Sequence, residues 1–343
     1  MRTKYIKINN DKDLRKLRKP ADILRYGGLV AFPTETVYGL GANGLDGQAV
    51  NKIFEAKGRP NDNPLILHIS DLECIDKLVC EITDTAKILM DNFWPGPMTL
   101  VFKKTGVVPK EVSAGLKTVG LRFPENKIAH EFIKLAGVPV AAPSANTSGR
   151  PSPTKASHVK EDMEGKIDVI IDGGQCDIGL ESTVIDVTGE LPVILRPGKI
   201  TIEDIRRLVP GVEYDRHLVE HSEVVKPKSP GMKYKHYAPK GELYILTGSP
   251  ENVKKYILSH YNESTGIITF DETFLSLPNE FSVGSINDSD SAAKNLFDIL
   301  RKFDENNCKV MYGFMPDDKG VGFAVCNRLL KAAGGRIIDA DKI

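Results

Sequence analysis

Ala56-Lys57-Gly58-Arg59-Pro60-Asn61-Asp62-Asn63-Pro64-Leu65-Ile66-Leu67-His68-Ile69 carries the reading of this sequence. A helical pattern enters it, with Asp46 as a cap and Val50, Ile53 and Phe54 on one face. A short apolar run, Leu65 to Ile69, leaves it as a strand. Helix, loop and strand in that order point to an α/β fold. Lys57 and Arg59 stand two residues apart in a loop bracketed by Pro60 and Pro64. The prolines restrict the backbone and remove amide donors, so the loop is irregular but stiff. A stiff loop that holds cations between regular elements suits phosphate or carboxylate. A solvated basic turn has the same composition. His68 interrupts the apolar run and so faces either the core or a cleft.

Upstream, Leu14, Leu17, Ala21 and Leu24 repeat at helical spacing over residues 12–26, and Gly27-Gly28 stops them. Leu29-Val30-Ala31-Phe32 reads as a buried strand opening into the loop Pro33-Thr34-Glu35-Thr36-Val37-Tyr38-Gly39-Leu40-Gly41. A strand that opens into small hydroxyl residues and glycines is a candidate ligand edge, and equally a turn with solvated threonines. Downstream, residues 83–93 read as helix, Trp94-Pro95-Gly96-Pro97 as a corner, and Met98 to Phe102 as a strand. Thr118 to Pro124 is a strand with Arg122 inside it. A cation in an apolar strand is costly unless an anion pairs with it, and a structural carboxylate or a ligand fits that need.

A helix with Ile128, Phe132 and Leu135 follows, then a strand over residues 138–142. It runs into Pro143-Ser144-Ala145-Asn146-Thr147-Ser148-Gly149-Arg150-Pro151-Ser152-Pro153, a second polar loop stiffened by prolines. Ser144 and Asn146 are two apart, as are Lys57 and Arg59. Strands at 167–171, 183–187 and 193–195 are flanked by Asp172-Gly173-Gly174, Glu181-Ser182 and Arg196-Pro197-Gly198. Strand termini of this kind are expected to converge on one ligand. Periodicity fades between 210 and 240, which reads as an interdomain linker. Residues 241–343 then alternate strand and helix, implying a mostly parallel sheet. The expected organisation is a catalytic domain at 1–209, a linker at 210–240 and a second α/β domain at 241–343.

The 343 residues carry a formal net charge of zero, which argues against a coat of basic charge for nucleic acid. The five cysteines show no CxxC spacing, so reduced thiols are expected and zinc is not. The N-terminus lacks a signal-peptide core, and no apolar run approaches a membrane span. A soluble, cytoplasmic chain is expected. No GxxxxGK[ST] occurs, so a P-loop is not indicated, and residues 241–343 lack GxGxxG, so a dinucleotide is not indicated there.

PTETVYGLG, AKGRPNDNPL, WPGPMT, the strand ending at Arg122, APSAN at 142–146, ESTVID at 181–186, LRPG at 195–198 and SPGMKYKHYAP at 229–239 occur in that order. Together they resemble the threonylcarbamoyl-AMP synthases in their long form. The resemblance covers essentially the whole chain. It implies a YrdC-type catalytic domain, a twisted mixed sheet with a large concave site, followed by a smaller Rossmann-like parallel-sheet domain. It implies synthesis of threonylcarbamoyl-AMP from L-threonine, bicarbonate and ATP, with release of pyrophosphate. The product would supply the machinery that modifies adenosine 37 of tRNA, with no stable tRNA binding by this chain.

The resemblance assigns threonine to Thr34, His68, Arg122 and Ser182. It assigns ATP to Lys57, Arg59, Asn63, Thr118, Ser144, Asn146, Ser152, Arg196 and Tyr234, with Lys57, Arg59, Ser144 and Asn146 as the catalytic group. Magnesium is expected to travel with ATP, with no dedicated protein metal site and no tightly bound organic cofactor, and the chain is expected to be a monomer. Tyr234 and its linker would fold over the occupied site. The chemistry suits these residues. All reactants are anionic, so fixed cations must overcome their repulsion, and phosphoryl-type transfer needs positioning more than a nucleophile. Two other readings are an RNA-binding module using the basic concavity, and the carbamoyl-transfer domain of a maturation protein, whose acylphosphatase and zinc-finger segments this sequence lacks.

Overall fold

A computed structural model describes residues 2–219, 236–316 and 318–343. Contacts divide it into two compact units. The first comprises Met1–Ser148, Pro153–Asp177 and Glu181–Lys233, and the second Gly149–Ser152, Ile178–Leu180 and Tyr234–Ile343.

The first unit is built on one sheet, with eleven strands among the described residues. In order across it they are Lys4–Lys7, Val169–Asp172, Val30–Phe32, Gly39–Asn43, Val140–Ala141, Ile66–His68, Thr118–Arg122, Met98–Lys103, Thr183–Asp186, Val193–Arg196 and Glu213–Tyr214. The pairing is mixed: Ile66–His68 runs parallel to Thr118–Arg122, which runs antiparallel to Met98–Lys103. Val50, Ile53, Leu89, Leu100 and Ile185 belong to one buried apolar layer, and Leu24, Phe32, Phe132 and Ile171 to another. The helix Gly47–Lys57 is capped by Asp46, whose Oδ1 accepts from Gln48 N (2.9 Å) and Ala49 N (3.3 Å).

Three local readings change. The helix expected over residues 12–26 is a 3-10 segment, Asp11–Leu17, followed by an α-helix, Arg18–Arg25. Pro20 explains the break: it has no N–H to close an α-helical bond and is tolerated only in a first turn. The glycine-rich run after Val37 is not all loop, because Gly39–Asn43 pairs antiparallel with Val30–Phe32. Its glycines answer to crowding: a Cβ on Gly41 would lie 2.8 Å from Val140 Cγ1 and 3.0 Å from Phe32 Cε1. The interval read as linker begins with ordered chain. Glu213–Tyr214 pairs parallel with Val193–Arg196, Arg216–Val219 is helical, and Val212 and Leu218 join the core.

The second unit holds the smaller parallel sheet. Its order is Glu280–Ser282, Thr265–Thr269, Val310–Phe314, Glu242–Thr247, Ile337–Asp339, and every pairing is parallel. Helices Pro250–His260, Ser289–Glu305 and Gly320–Ala333 complete it. Leu246, Val253, Ile257 and Ile267 form part of its core. Tyr234 and most of the expected lid lie outside the described residues.

Candidate active site

Strand register assembles the first group of polar residues. His68 pairs with Arg122, Arg122 with Thr99, Thr99 with Val184, and Val184 with Arg196. One cross-strand row therefore carries His68, Arg122, Thr99 and Arg196 over five neighbouring strands. Ser182, just before the fourth of these strands, closes the group. Its Oγ lies 2.7 Å from Thr99 Oγ1 and accepts from Arg196 Nη2 (3.1 Å), and its carbonyl accepts from Arg196 Nε (3.0 Å).

A second group forms where the helix Gly47–Lys57 ends. Lys57 is only 2% exposed, and its Nζ donates to the carbonyls of Ser144 and of Asn146, the latter at 2.6 Å. Ser144 Oγ donates to Asn146 Oδ1, and Ser148 N donates to Lys57 O at 2.9 Å. Lys57 is thus no solvated turn residue; it stitches the Ser144–Asn146 loop to the helix terminus. Gly58 makes this possible by ending the helix in the left-handed conformation, with φ of +61°. Arg59 then turns back on its own loop, its Nη2 donating to Asn63 O at 3.2 Å.

The loop between Phe32 and Gly39 reaches both groups. At one end, Thr34 Oγ1 donates to Val37 O (2.6 Å) and lies 3.5 Å from Arg122 Nη2. At the other, Gly39 bridges to Ser144, and Ala145 N donates to Tyr38 O at 2.8 Å. Tyr38 anchors the loop, its hydroxyl donating to Gly174 O at 2.7 Å.

The electrostatics are those of a buried polar group. His68 is buried, and desolvation first, then the Arg122 guanidinium, push its pKa down to about 3. It is therefore a neutral imidazole, packed edge-on against Phe32 at 6.1 Å. Its Nδ1 and the Nε of Arg122 are buried and find no hydrogen-bond partner among the described residues. Arg122 Nη2 pairs with Glu35 Oε1 at 2.6 Å. Burial, then the Glu35 carboxylate, push the Cys176 thiol well above its ordinary range. Such a group can orient an anion, because a guanidinium Nε and a neutral imidazole nitrogen lie in it without hydrogen-bond partners among the described residues.

The family profile described as "Telomere recombination" matches residues 22–198, and the one described as "Threonylcarbamoyl-AMP synthase, C-terminal domain" matches residues 200–334. A threonylcarbamoyl-AMP synthase of Bacillus subtilis (strain 168) is 45% identical over 329 residues, covering 94% of each chain. One from Pyrococcus abyssi is 46% identical over 94% of this chain and 95% of its own. The crystal structure of P. abyssi Sua5 complexed with L-threonine superimposes with a TM-score of 0.91 at 43% identity, over 99% of both chains. The chain belongs to the threonylcarbamoyl-AMP synthase family.

The residues that the synthase family resemblance assigns fall as follows. His68, Arg122, Ser182 and Arg196 share the first group, with Thr34 against Arg122. Lys57, Ser144 and Asn146 share the second, and Arg59 and Asn63 close the adjoining loop. Asn63 is buried, and its Oδ1 has no hydrogen-bond partner among the described residues. Thr118 opens the strand that Arg122 ends, four residues away, or roughly 13 Å along the strand. Among the described residues no side-chain hydrogen bond ties it to either group. Ser152 is buried in a segment whose contacts group it with the second unit, and Tyr234 lies outside the described residues.

Two site residues escape a reading by sequence. Thr99 ends the WPGPMT motif inside an otherwise apolar strand, and no role is assigned to it. Glu35 carried a usable signal: it is the only acid in its loop of hydroxyl residues and glycines, and Arg122 needs an anion.

Proposed function

We propose that this chain condenses L-threonine, bicarbonate and ATP into threonylcarbamoyl-AMP, with release of pyrophosphate and water. One observation carries the reading: a buried row in which the Nε of Arg122 has no hydrogen-bond partner among the described residues, flanked by neutral His68 and by the Thr99–Ser182–Arg196 cluster. A guanidinium edge in that setting calls for a carboxylate or phosphate oxygen.

Arg122 takes the threonine carboxylate, and Thr34, His68 and Ser182 contact the amino-acid end and the carbamate. The carbamate forms when the threonine amine, having lost its proton, bonds to carbon dioxide derived from bicarbonate. A carbamate oxygen then bonds to the α-phosphorus of ATP as the bond to pyrophosphate breaks. Lys57 and Arg59 hold positive charge along the Ser144–Asn146 loop, where the phosphates lie during displacement. Asn63, Ser144, Asn146, Ser152, Thr118 and Arg196 orient the nucleotide. Magnesium enters with ATP and screens the phosphates; among the described residues no three His, Cys, Asp or Glu groups come together to hold a metal.

The product serves a downstream tRNA threonylcarbamoyl-transfer machinery, and this step needs no RNA. The setting is the cytoplasm and the working unit is a monomer. Among the described residues no helix is long and apolar enough to cross a membrane.

The test is pyrophosphate release by the full chain with each substrate omitted in turn. Release is expected only when threonine, bicarbonate and ATP are all present, and without RNA; threonine-independent release would sink the reading. In calorimetry, Arg122→Ala is expected to weaken threonine binding tenfold or more, about 1.4 kcal/mol or above.

A further inference from the structure

We propose that Glu35 is a positioning residue that aims the Arg122 guanidinium at the substrate carboxylate. The proposal rests on the reading of Arg122 as the carboxylate receptor.

The geometry is a pin rather than a closed pair. Glu35 is 5% exposed, and only its Oε1 meets Arg122, at Nη2 and 2.6 Å. Its Oε2 turns the other way and accepts from Asn126 N at 3.3 Å. Asn126 caps the helix Lys127–Ala136, its own side chain accepting from Ile128 N (3.0 Å) and Ala129 N (3.1 Å). The Glu35 carboxylate is thus held at a helix N-terminus, where the peptide dipoles favour a negative charge. One end of the pin is fixed to an element; the other holds one nitrogen of a long side chain.

Arg122 needs that pin. Its Cα is fixed in the sheet between His68 and Thr99, but its side chain has several rotatable bonds, and an unaligned guanidinium loses the entropy of ordering when a ligand arrives. A bidentate carboxylate partner inside the protein would occupy the fork and block the substrate. Glu35 meets a single Nη nitrogen and leaves the buried Nε edge without a hydrogen-bond partner among the described residues. A fixed Nη2 also fixes the plane of the guanidinium, and so the direction in which Nε donates. Glu35 further neutralises the buried cation, which would otherwise carry a large desolvation penalty.

The test uses the full chain and three constants: threonine Kd by calorimetry, ATP KM from pyrophosphate release, and the midpoint of thermal unfolding. Glu35→Ala removes the pin and is expected to raise threonine Kd about tenfold or more while ATP KM stays within about twofold. Glu35→Gln keeps an oxygen for Nη2 without the charge, and is expected to bring threonine Kd back to within about threefold of the parent chain. Threonine binding by Glu35→Ala as tight as the parent's, or tighter, overturns the proposal. So does a loss shared equally by threonine and ATP that follows the unfolding midpoint. If Glu35→Ala does not fold, Glu35→Asp, one methylene shorter and still anionic, is read by the same constants. Arg122→Ala separates the two ideas. Unchanged threonine Kd there defeats the reading of Arg122 itself. A weakened Kd there, with Glu35→Ala unaffected, defeats only the pin.

Discussion

His68 is a site residue whose chemistry departs far from its ordinary behaviour. Desolvation and the neighbouring Arg122 charge lower its pKa from 6.5 to about 3. Between those values the unfolded chain binds a proton that the folded chain refuses, so stability rises with pH across that window. Acidifying from pH 7 to pH 5 is expected to cost about 2 kcal/mol through this one group. Urea unfolding of the parent and of His68→Gln at both pH values checks it: the variant should lose less on acidification, and equal losses would refute the assignment. At this scale the sequence was half legible. The need of Arg122 for an anion follows from a cation inside an apolar strand, but the identity of that anion does not. Glu35 lies 87 residues away, and no local spacing reports a contact made by folding. The Lys57-Gly58-Arg59 pair reads from sequence as two like cations, yet Lys57 is buried on carbonyls while Arg59 is half-buried and turns back on its own loop.

Elements were legible where periodicity and caps agree. The helix Gly47–Lys57 has Asp46 at its start, a regular apolar face and Gly58 at its end, and the structure has all three. Strand Gly39–Asn43 was hidden because glycine carries no apolar signal, although its glycines are there to let Phe32 and Val140 approach. Gly58 gives a clean prediction. A Cβ there would meet nothing within 4 Å, so Gly58→Ala acts through backbone strain alone. A loss of about 1 kcal/mol in stability is expected, read from the urea midpoint with an unchanged slope. Pyrophosphate release should fall further than stability, because the strain lies between Lys57 and Arg59. Activity equal to the parent's would show that the turn does not set the spacing of the cations.

For the whole molecule, alternation of strand and helix over residues 241–343 implied a mostly parallel sheet, and the short parallel sheet of the second unit is as expected. The boundary was less visible. Val212, Tyr214 and Leu218 are spaced too sparsely to register as a pattern, but Val212 and Leu218 are buried in the first core, with Tyr214 packed against it, and Glu213–Tyr214 extends the sheet. We propose that the catalytic domain ends near residue 219 rather than 209. A chain cut after 219 is expected to unfold cooperatively and to be roughly 3 kcal/mol or more stable than one cut after 209, from the apolar burial lost. Parallel urea titrations of the two truncations decide it; equal midpoints would restore the earlier boundary.

Point substitutions can accumulate in the strands that carry His68, Arg122, Thr99, Val184 and Arg196, but changes of length cannot. A residue gained or lost between Gly96 and Met98 would turn each later side chain of Met98–Lys103 to the opposite face, bringing Leu100 or Met98 to the place of Thr99. Insertions and deletions among descendants of this chain should therefore gather in turns such as Gly189–Leu191, where the row does not reach, and spare the corner at Trp94–Pro97.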